Sequence, residues 1–154
     1  MPSLKPFAYG TLLRVRERQE ELKAGALSAT RRQLRQAEFQ HADLVRQQMF
    51  MLTEAGRRTQ YTFDAGDVRR YYQFERYLAR LVVEKHAQIG EIRRAESVQR
   101  AELEEAMKKR RIVERLKERW LRARTYTINK NEQAILDEVA SNQAAVSRGP
   151  RSQS

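Results

Sequence analysis

Two histidines, His41 and His86, are the side chains with most to offer chemically. An imidazole titrates near neutral pH and ligates metals through either ring nitrogen. A zinc-type site needs three or four donors, and no cysteine and no Asp/Glu cluster completes a shell around either histidine. If the chain folds back on itself the two lie opposite each other, and such a pair in a helical seam is expected to be structural. No glycine-rich phosphate loop and no nucleophile motif occurs anywhere in the chain. Without cysteine, disulfides and thiolate chemistry are excluded as well. The expectation is a protein with no active site, no cofactor, no metal and no small-molecule substrate.

Two other concentrations of residues point to binding. Phe50, Tyr61, Phe63, Tyr71, Tyr72, Phe74 and Tyr77 place seven of the twelve aromatics between residues 50 and 77. Plugging the end of a helical hairpin explains Tyr71 and one of Tyr61 or Phe63. Tyr72, Phe74 and Leu81 flank the seam and make an apolar stripe wider than two helices need, which suggests a partner surface. The segment Lys108 to Arg124 (KKRRIVERLKERWLRAR) carries nine basic and two acidic residues, leaving +4 of the net +11 for the rest of the chain. A run this dense reads as an electrostatic docking surface, with Trp120 as a seam residue or an anchor. Acidic protein, nucleic acid and anionic lipid all fit such a charge.

The elements that position these residues are two long helices. The chain has 154 residues, of which 33% are charged and 40% hydrophobic, with six Gly and three Pro. That composition suits solvated helices better than a thick globular core. Apolar residues at helical spacing argue against disorder. Pro2 and Pro6 confine the first helix to a start at about residue 6. Gly25 is tolerated inside it at about 1 kcal/mol, and Gly56 is expected to cap it near residue 55. Residues 56–66 form the turn, Asp67 caps the second helix, and that helix runs to about residue 146, before a disordered tail over 148–154. One domain over 1–147 is expected. The fold class is all-α: an antiparallel coiled-coil hairpin whose second helix is the longer.

The seam can be traced in both helices. In the first it steps through Leu12, Val15, Gln19, Leu22 and Ala26, then Thr30, Leu34, Ala37, His41, Leu44, Gln48 and Met51, with the heptad broken at Gly25. In the second it takes Val68, Tyr71, Leu78, Val82, Ile89, Ile92, Leu103, Ala106, Val113 and Trp120. Glu75, Lys85, Glu96, Gln99, Arg110 and Lys117 fall in the same frame. Such a polar seam is marginally stable and specifies register. A turn of about ten residues makes the helices antiparallel neighbours, centred near Tyr61 or Thr62. At 1.5 Å per residue they would span about 75 and 115 Å, so the last 25–30 or so residues of the second overhang the first. The longest apolar run, Met49 to Leu52, is far too short to span a bilayer, and the first residues lack a signal-peptide core. A cytoplasmic chain without stable membrane insertion is expected.

With the elements in place, two segments show a family resemblance. Residues 7–27, FAYGTLLRVRERQEELKAGAL, resemble the start of the FliJ family of flagellar export proteins. Residues 71–89, YYQFERYLARLVVEKHAQI, resemble the opening of that family's second helix. The hairpin plan, turn position, length and basic final third agree in order and spacing. The resemblance implies a component of the flagellar type III export apparatus: a stalk set in a hexameric export ATPase, contacting the cytoplasmic domain of the export gate protein FlhA and recycling export chaperones. It would be peripherally associated with the inner-membrane apparatus.

The resemblance also implies site residues. A gate-binding patch falls on Gln40, Leu44, Gln47 and Met51 in the first helix and on Phe74, Leu78, Leu81 and Lys85 in the second. The family's aromatics at Gln47 and Met51 are absent and Lys85 stands for a histidine, so Phe74 and Leu78 match best. ATPase docking falls on the basic run, at Lys108, Lys109, Arg110, Arg111, Arg115, Arg119 and Arg122. The alternatives are the stalk of a virulence secretion system, a basic coiled coil binding nucleic acid or anionic surfaces, and a structural spacer.

Overall fold

A computed structural model describes residues 5–58 and 64–149. Two α-helices account for nearly all of them: α1, Gly10–Arg58, of 49 residues, and α2, Ala65–Ser147, of 83 residues. The all-α pair with a longer second helix is as expected, and the boundaries shift by a few residues. The α1 start moves to Gly10, whose N–H donates to the Phe7 carbonyl (3.4 Å) in a turn that precedes the helix. Gly56 does not cap α1. The helix runs through it to Arg58, and no described glycine adopts a positive φ. Arg57 and Arg58 occupy the last turn, where cations oppose the negative end of the helix dipole, and Arg57 also pairs with Glu54 (3.7 Å). The α2 cap lies three residues earlier than Asp67. The Asp64 carbonyl accepts from the N–H groups of Asp67 (3.0 Å) and Val68 (3.2 Å), and Asp67 sits in the first turn, where its carboxylate meets the positive end of the dipole. The expected turn residues Tyr61, Thr62 and Phe63, and the tail from residue 150, lie outside the described residues.

Contacts divide the chain into two compact units, one comprising residues 18–107 and the other the residues up to Glu17 with those from Lys108 onward. In the first, α1 and α2 run antiparallel. Lys23 pairs with Glu102 (2.8 Å), Arg31 with Glu96 (3.1 Å) and Glu38 with Arg93 (2.9 Å), while Lys85 donates to Gln40 (2.8 Å). The midpoints of these pairs along the chain run from 62.5 to 65.5, slightly beyond the expected centre. The His41 and His86 rings face each other at 5.9 Å, as mirror pairing requires. Leu27, Ala37, Leu78 and Ile89 are the buried apolar residues of this unit, joined by the buried Thr30. Full burial of a leucine-sized side chain contributes about 1.5–3 kcal/mol. Exposed ion pairs contribute about 0–1 kcal/mol each, so leucines hold the pair together and charges choose its register.

The second unit is built the same way. Leu13 on α1 and Val113 on α2 are buried. Phe7, before the helix, lays its ring against Trp120 at 5.8 Å and against Tyr9 at 5.8 Å, and the Arg124 guanidinium lies 5.2 Å from the Trp120 ring centre. Trp120 is therefore a half-buried seam residue that anchors the segment before α1. From Leu121 to Ser147 every residue except Ile128 is exposed.

Helix α2 buries the face expected of it: Leu78, Ile89 and Val113 are buried, and the other frame residues are half-buried apart from Val68 and Lys117. In α1 the expected seam is right from Thr30 onward and wrong before it. Leu12, Val15 and Leu22 are exposed, the last at 59%. The buried and half-buried residues are Leu13, Arg16, Glu20 and Leu27, one position further on. With Lys23, these continue the steps of Thr30, Leu34, Ala37, His41, Leu44, Gln48 and Met51 as one unbroken alternation of three and four. There is no break at Gly25. The α1 heptad simply carries charged residues there: Arg16 and Glu20 are half-buried and Lys23 is exposed.

Candidate functional site

Two surfaces stand out, one in each unit. In the unit of residues 18–107, Gln40, Leu44, Gln47 and Met51 lie on one face of α1, and Phe74, Leu78, Leu81 and Lys85 on one face of α2, each set stepping by four, three and four. The Lys85 ammonium donates to Gln40 across the helices and to Gln88 (3.0 Å) along α2. Gln47 donates to Asp43 (3.0 Å). Gln40 and Gln47 are exposed, and Leu44, Met51, Leu81 and Lys85 are half-buried.

Phe74 and Leu78 differ sharply. Phe74 is 43% exposed, whereas Leu78, at 2%, is the most completely buried side chain among the described residues. Leu78 packs under the surface and Phe74 presents it. Phe74, Met51 and Gln47 meet in a shallow groove completed by Phe50 and Arg46. Next to it lies a larger groove of ≈480 Å³, where Phe50, Met51 and Phe74 face Glu54, Arg70 and Tyr71. Phe50, 64% exposed and lining both grooves, is the patch residue that sequence reasoning left in a general aromatic cluster. Its position one residue before Met51 put it off the seam frame, and being off the frame is what leaves its ring free to line a groove.

The aromatics nearby are ordered by one another and by cations. Phe74 packs on Tyr77 (6.2 Å), and Tyr71 meets Tyr72 edge-on (5.8 Å). The Arg80 guanidinium lies 5.8 Å from the Tyr77 ring centre, and Arg46 lies 5.9 Å from that of Phe39. Burial, then the neighbouring Glu75 carboxylate and Tyr72, raises the Tyr71 hydroxyl above its usual 10.0, so the phenol stays neutral at physiological pH. The mix of exposed rings, a thioether and ionic rims suits an apolar protein surface with polar edges.

The basic run resolves into a stripe and its support. Lys108, Arg111, Arg115, Arg119 and Arg122 are exposed and recur at steps of three or four, which places them within about one quarter of the helix circumference. Val113 and Trp120 bury the other side of the same turns. Arg122 touches Glu118 at 3.8 Å. Lys109 is exposed on the flank, and Arg110 is not part of the stripe. It is half-buried in the seam frame and pairs with Glu114 at 2.6 Å. Among the described residues no group of three or more His, Cys, Asp or Glu is placed to hold a metal ion. No helix among them is long and apolar enough to cross a membrane.

Fold and surfaces together define a class: a two-helix antiparallel coiled coil with a polar seam, an aromatic-lined groove and a basic stripe. The family model described as the flagellar FliJ protein matches residues 5–149, and the chain belongs to that family. Membership connects it with the flagellum and with type III protein export. No curated protein and no solved structure matches it.

Proposed function

We propose that this chain is a stalk component of flagellar protein export, joining a hexameric export ATPase to the cytoplasmic domain of the export gate protein FlhA, with export chaperones among its clients. It acts without chemistry of its own, in the cytoplasm at the inner-membrane apparatus. The observation that carries the proposal is the family match across 5–149. The stripe of Lys108, Arg111, Arg115, Arg119 and Arg122, with Lys109 beside it, is the ATPase-facing surface, and Arg110 stiffens it from the seam side. A ring of fixed size around a helix pair favours many exposed charges over one deep anchor, because charge attraction tolerates sliding. The gate-facing surface is the groove of Gln47, Met51 and Phe74 together with Gln40, Leu44, Leu81 and Lys85 on the same two helix faces, with the buried Leu78 holding the pair together.

The test is the hydrolysis rate of the cognate ATPase with the full chain added. Wild type is expected to raise it, and the triple variant Arg111→Glu, Arg115→Glu, Arg119→Glu to leave it near the ATPase-alone value. A triple variant as stimulating as wild type would remove the stripe from the ATPase interface. An unstimulated ring with wild type would remove the coupling role altogether.

A further inference from the structure

The exposed stretch of α2 beyond Trp120 carries its own apolar stripe, in a different frame from the seam. The seam of α2 steps through Leu103, Ala106, Arg110, Val113, Lys117 and Trp120, and continuing that alternation gives Arg124, Thr127, Asn131, Ala134, Glu138 and Ser141, almost all polar. One residue over, Leu121, Thr125, Ile128, Glu132, Ile135, Val139, Asn142 and Val146 also alternate by four and three. Leu121, Ile135, Val139 and Val146 of that set are exposed. A heptad over 26 residues that is exposed at every position except the half-buried Ile128 is the pattern of a coiled-coil strand whose partner is another molecule.

We infer that the partner is a second copy of this chain, paired antiparallel over residues 121–146. Charge and layer composition both favour this occupant and this direction. Residues 121–133 hold Arg122, Arg124 and Lys130 against Glu132, a net +2, and residues 134–146 hold Asp137 and Glu138, a net −2. Reversing a second copy about the point between residues 133 and 134 sets the basic half of each on the acidic half of the other. The same reversal puts Leu121 opposite Val146 and Ile128 opposite Val139. Thr125 then meets Asn142, so two polar residues share a layer. It also separates the two copies of Glu132, each of which faces Ile135. A parallel pair would stack +2 on +2, −2 on −2 and Glu132 on Glu132. Like charges directly opposed are destabilising, so direction is chosen by exclusion as well as by attraction. With polar residues in three of its eight positions the pairing is concentration-dependent.

Sedimentation velocity of the full chain over a concentration series tests this. A doubling of mass with concentration is expected, and Val139→Glu should weaken it at least about tenfold by burying an unpaired carboxylate. Val139 is exposed in the single chain, so the helical circular dichroism signal of that variant should match wild type. Direction is read by disulfide trapping, which the absence of cysteine makes clean. Leu121→Cys and Val146→Cys chains should cross-link when mixed, while Leu121→Cys alone should not. Equal cross-linking by Leu121→Cys alone means parallel pairing and overturns the inference. A chain that stays monomeric, or a doubling that Val139→Glu leaves intact, overturns it too. None of these readouts depends on the ATPase or the gate.

Discussion

Leu78→Ala separates a seam residue from a contact residue, and its size follows from burial. At 2% exposure Leu78 loses its full set of packing contacts on truncation. Leucine-to-alanine changes in well-packed cores cost about 2.7–5.0 kcal/mol, rising with the cavity that remains. A seam only two helices thick lets neighbours collapse and water enter, so the low end applies, about 2–3 kcal/mol. Alanine's better helix propensity returns a few tenths of a kcal/mol at most. With a urea slope of about 1–3 kcal/mol per molar, the unfolding midpoint should fall by about 0.7–3 M. The assay is urea unfolding of the full chain followed by helical circular dichroism, with Phe74→Ala beside it. Phe74, 43% exposed, should cost under about 1 kcal/mol in stability yet weaken gate-domain binding measured by calorimetry. If Leu78→Ala loses gate binding while its midpoint stays within about 0.3 M of wild type, the reasoning is refuted. Leu78 would then touch the partner and not its own helix pair.

Three further outcomes follow from the same packing. Phe7→Ala should red-shift the emission of Trp120, the chain's one tryptophan, and raise its quenching by acrylamide, because the Phe7 ring covers it at 5.8 Å; unchanged emission would mean the segment before α1 is not anchored there. Gln99→Leu should be neutral or stabilise by up to about 1 kcal/mol, since the buried Gln99 Oε1 accepts no hydrogen bond from the described protein groups; a loss beyond 1 kcal/mol or so would show that this amide is satisfied. The raised Tyr71 hydroxyl gives an alkaline dependence. The folded state holds that proton more tightly, so its stabilisation is full below 10.0 and is lost as pH rises through the higher folded value. Tyr71→Phe should flatten that part of a stability–pH profile, and an unchanged profile would assign it to other groups.

The sequence is most readable where apolar residues and the seam coincide. Over Tyr71 to Trp120 a heptad trace picks the buried side of α2 with few errors, because Leu78, Ile89 and Val113 dominate their turns. From Gly10 to Leu27 the two diverge. Leu12, Val15 and Leu22 form a more hydrophobic trace than Leu13, Arg16, Glu20, Lys23 and Leu27, yet the second is the one buried or half-buried apart from Lys23. Helical geometry forces this: from Thr30 backward a strict alternation of three and four leads to Leu27, Lys23, Glu20, Arg16 and Leu13. Following apolar residues instead needs an irregular step at Gly25, for which the backbone gives no sign. A long helix keeps its period and lets arginine and lysine stems lie in the seam. Hydrophobicity alone therefore misassigns a face wherever charged residues have stems long enough to pack.

The same divergence explains why the candidate sites were only half legible. An apolar residue that touches a partner lies off the seam, and a seam trace discards it as noise. Phe50 beside Met51, Phe74 one turn before Leu78, and Leu121 beside Trp120 are each displaced from a buried frame position by one to four residues. Reading for burial favours Leu78, which stabilises the pair. Reading for function requires the residues burial leaves over, and the geometry separates the two. Phe74 and Phe50 line a groove, while Leu78 is buried. Leu121 opens a stripe whose frame departs from the seam by one position and then holds for 26 residues. A random scatter of exposed apolar residues would not hold one frame that long, nor arrange its flanking charges so that one direction of pairing attracts and the other repels.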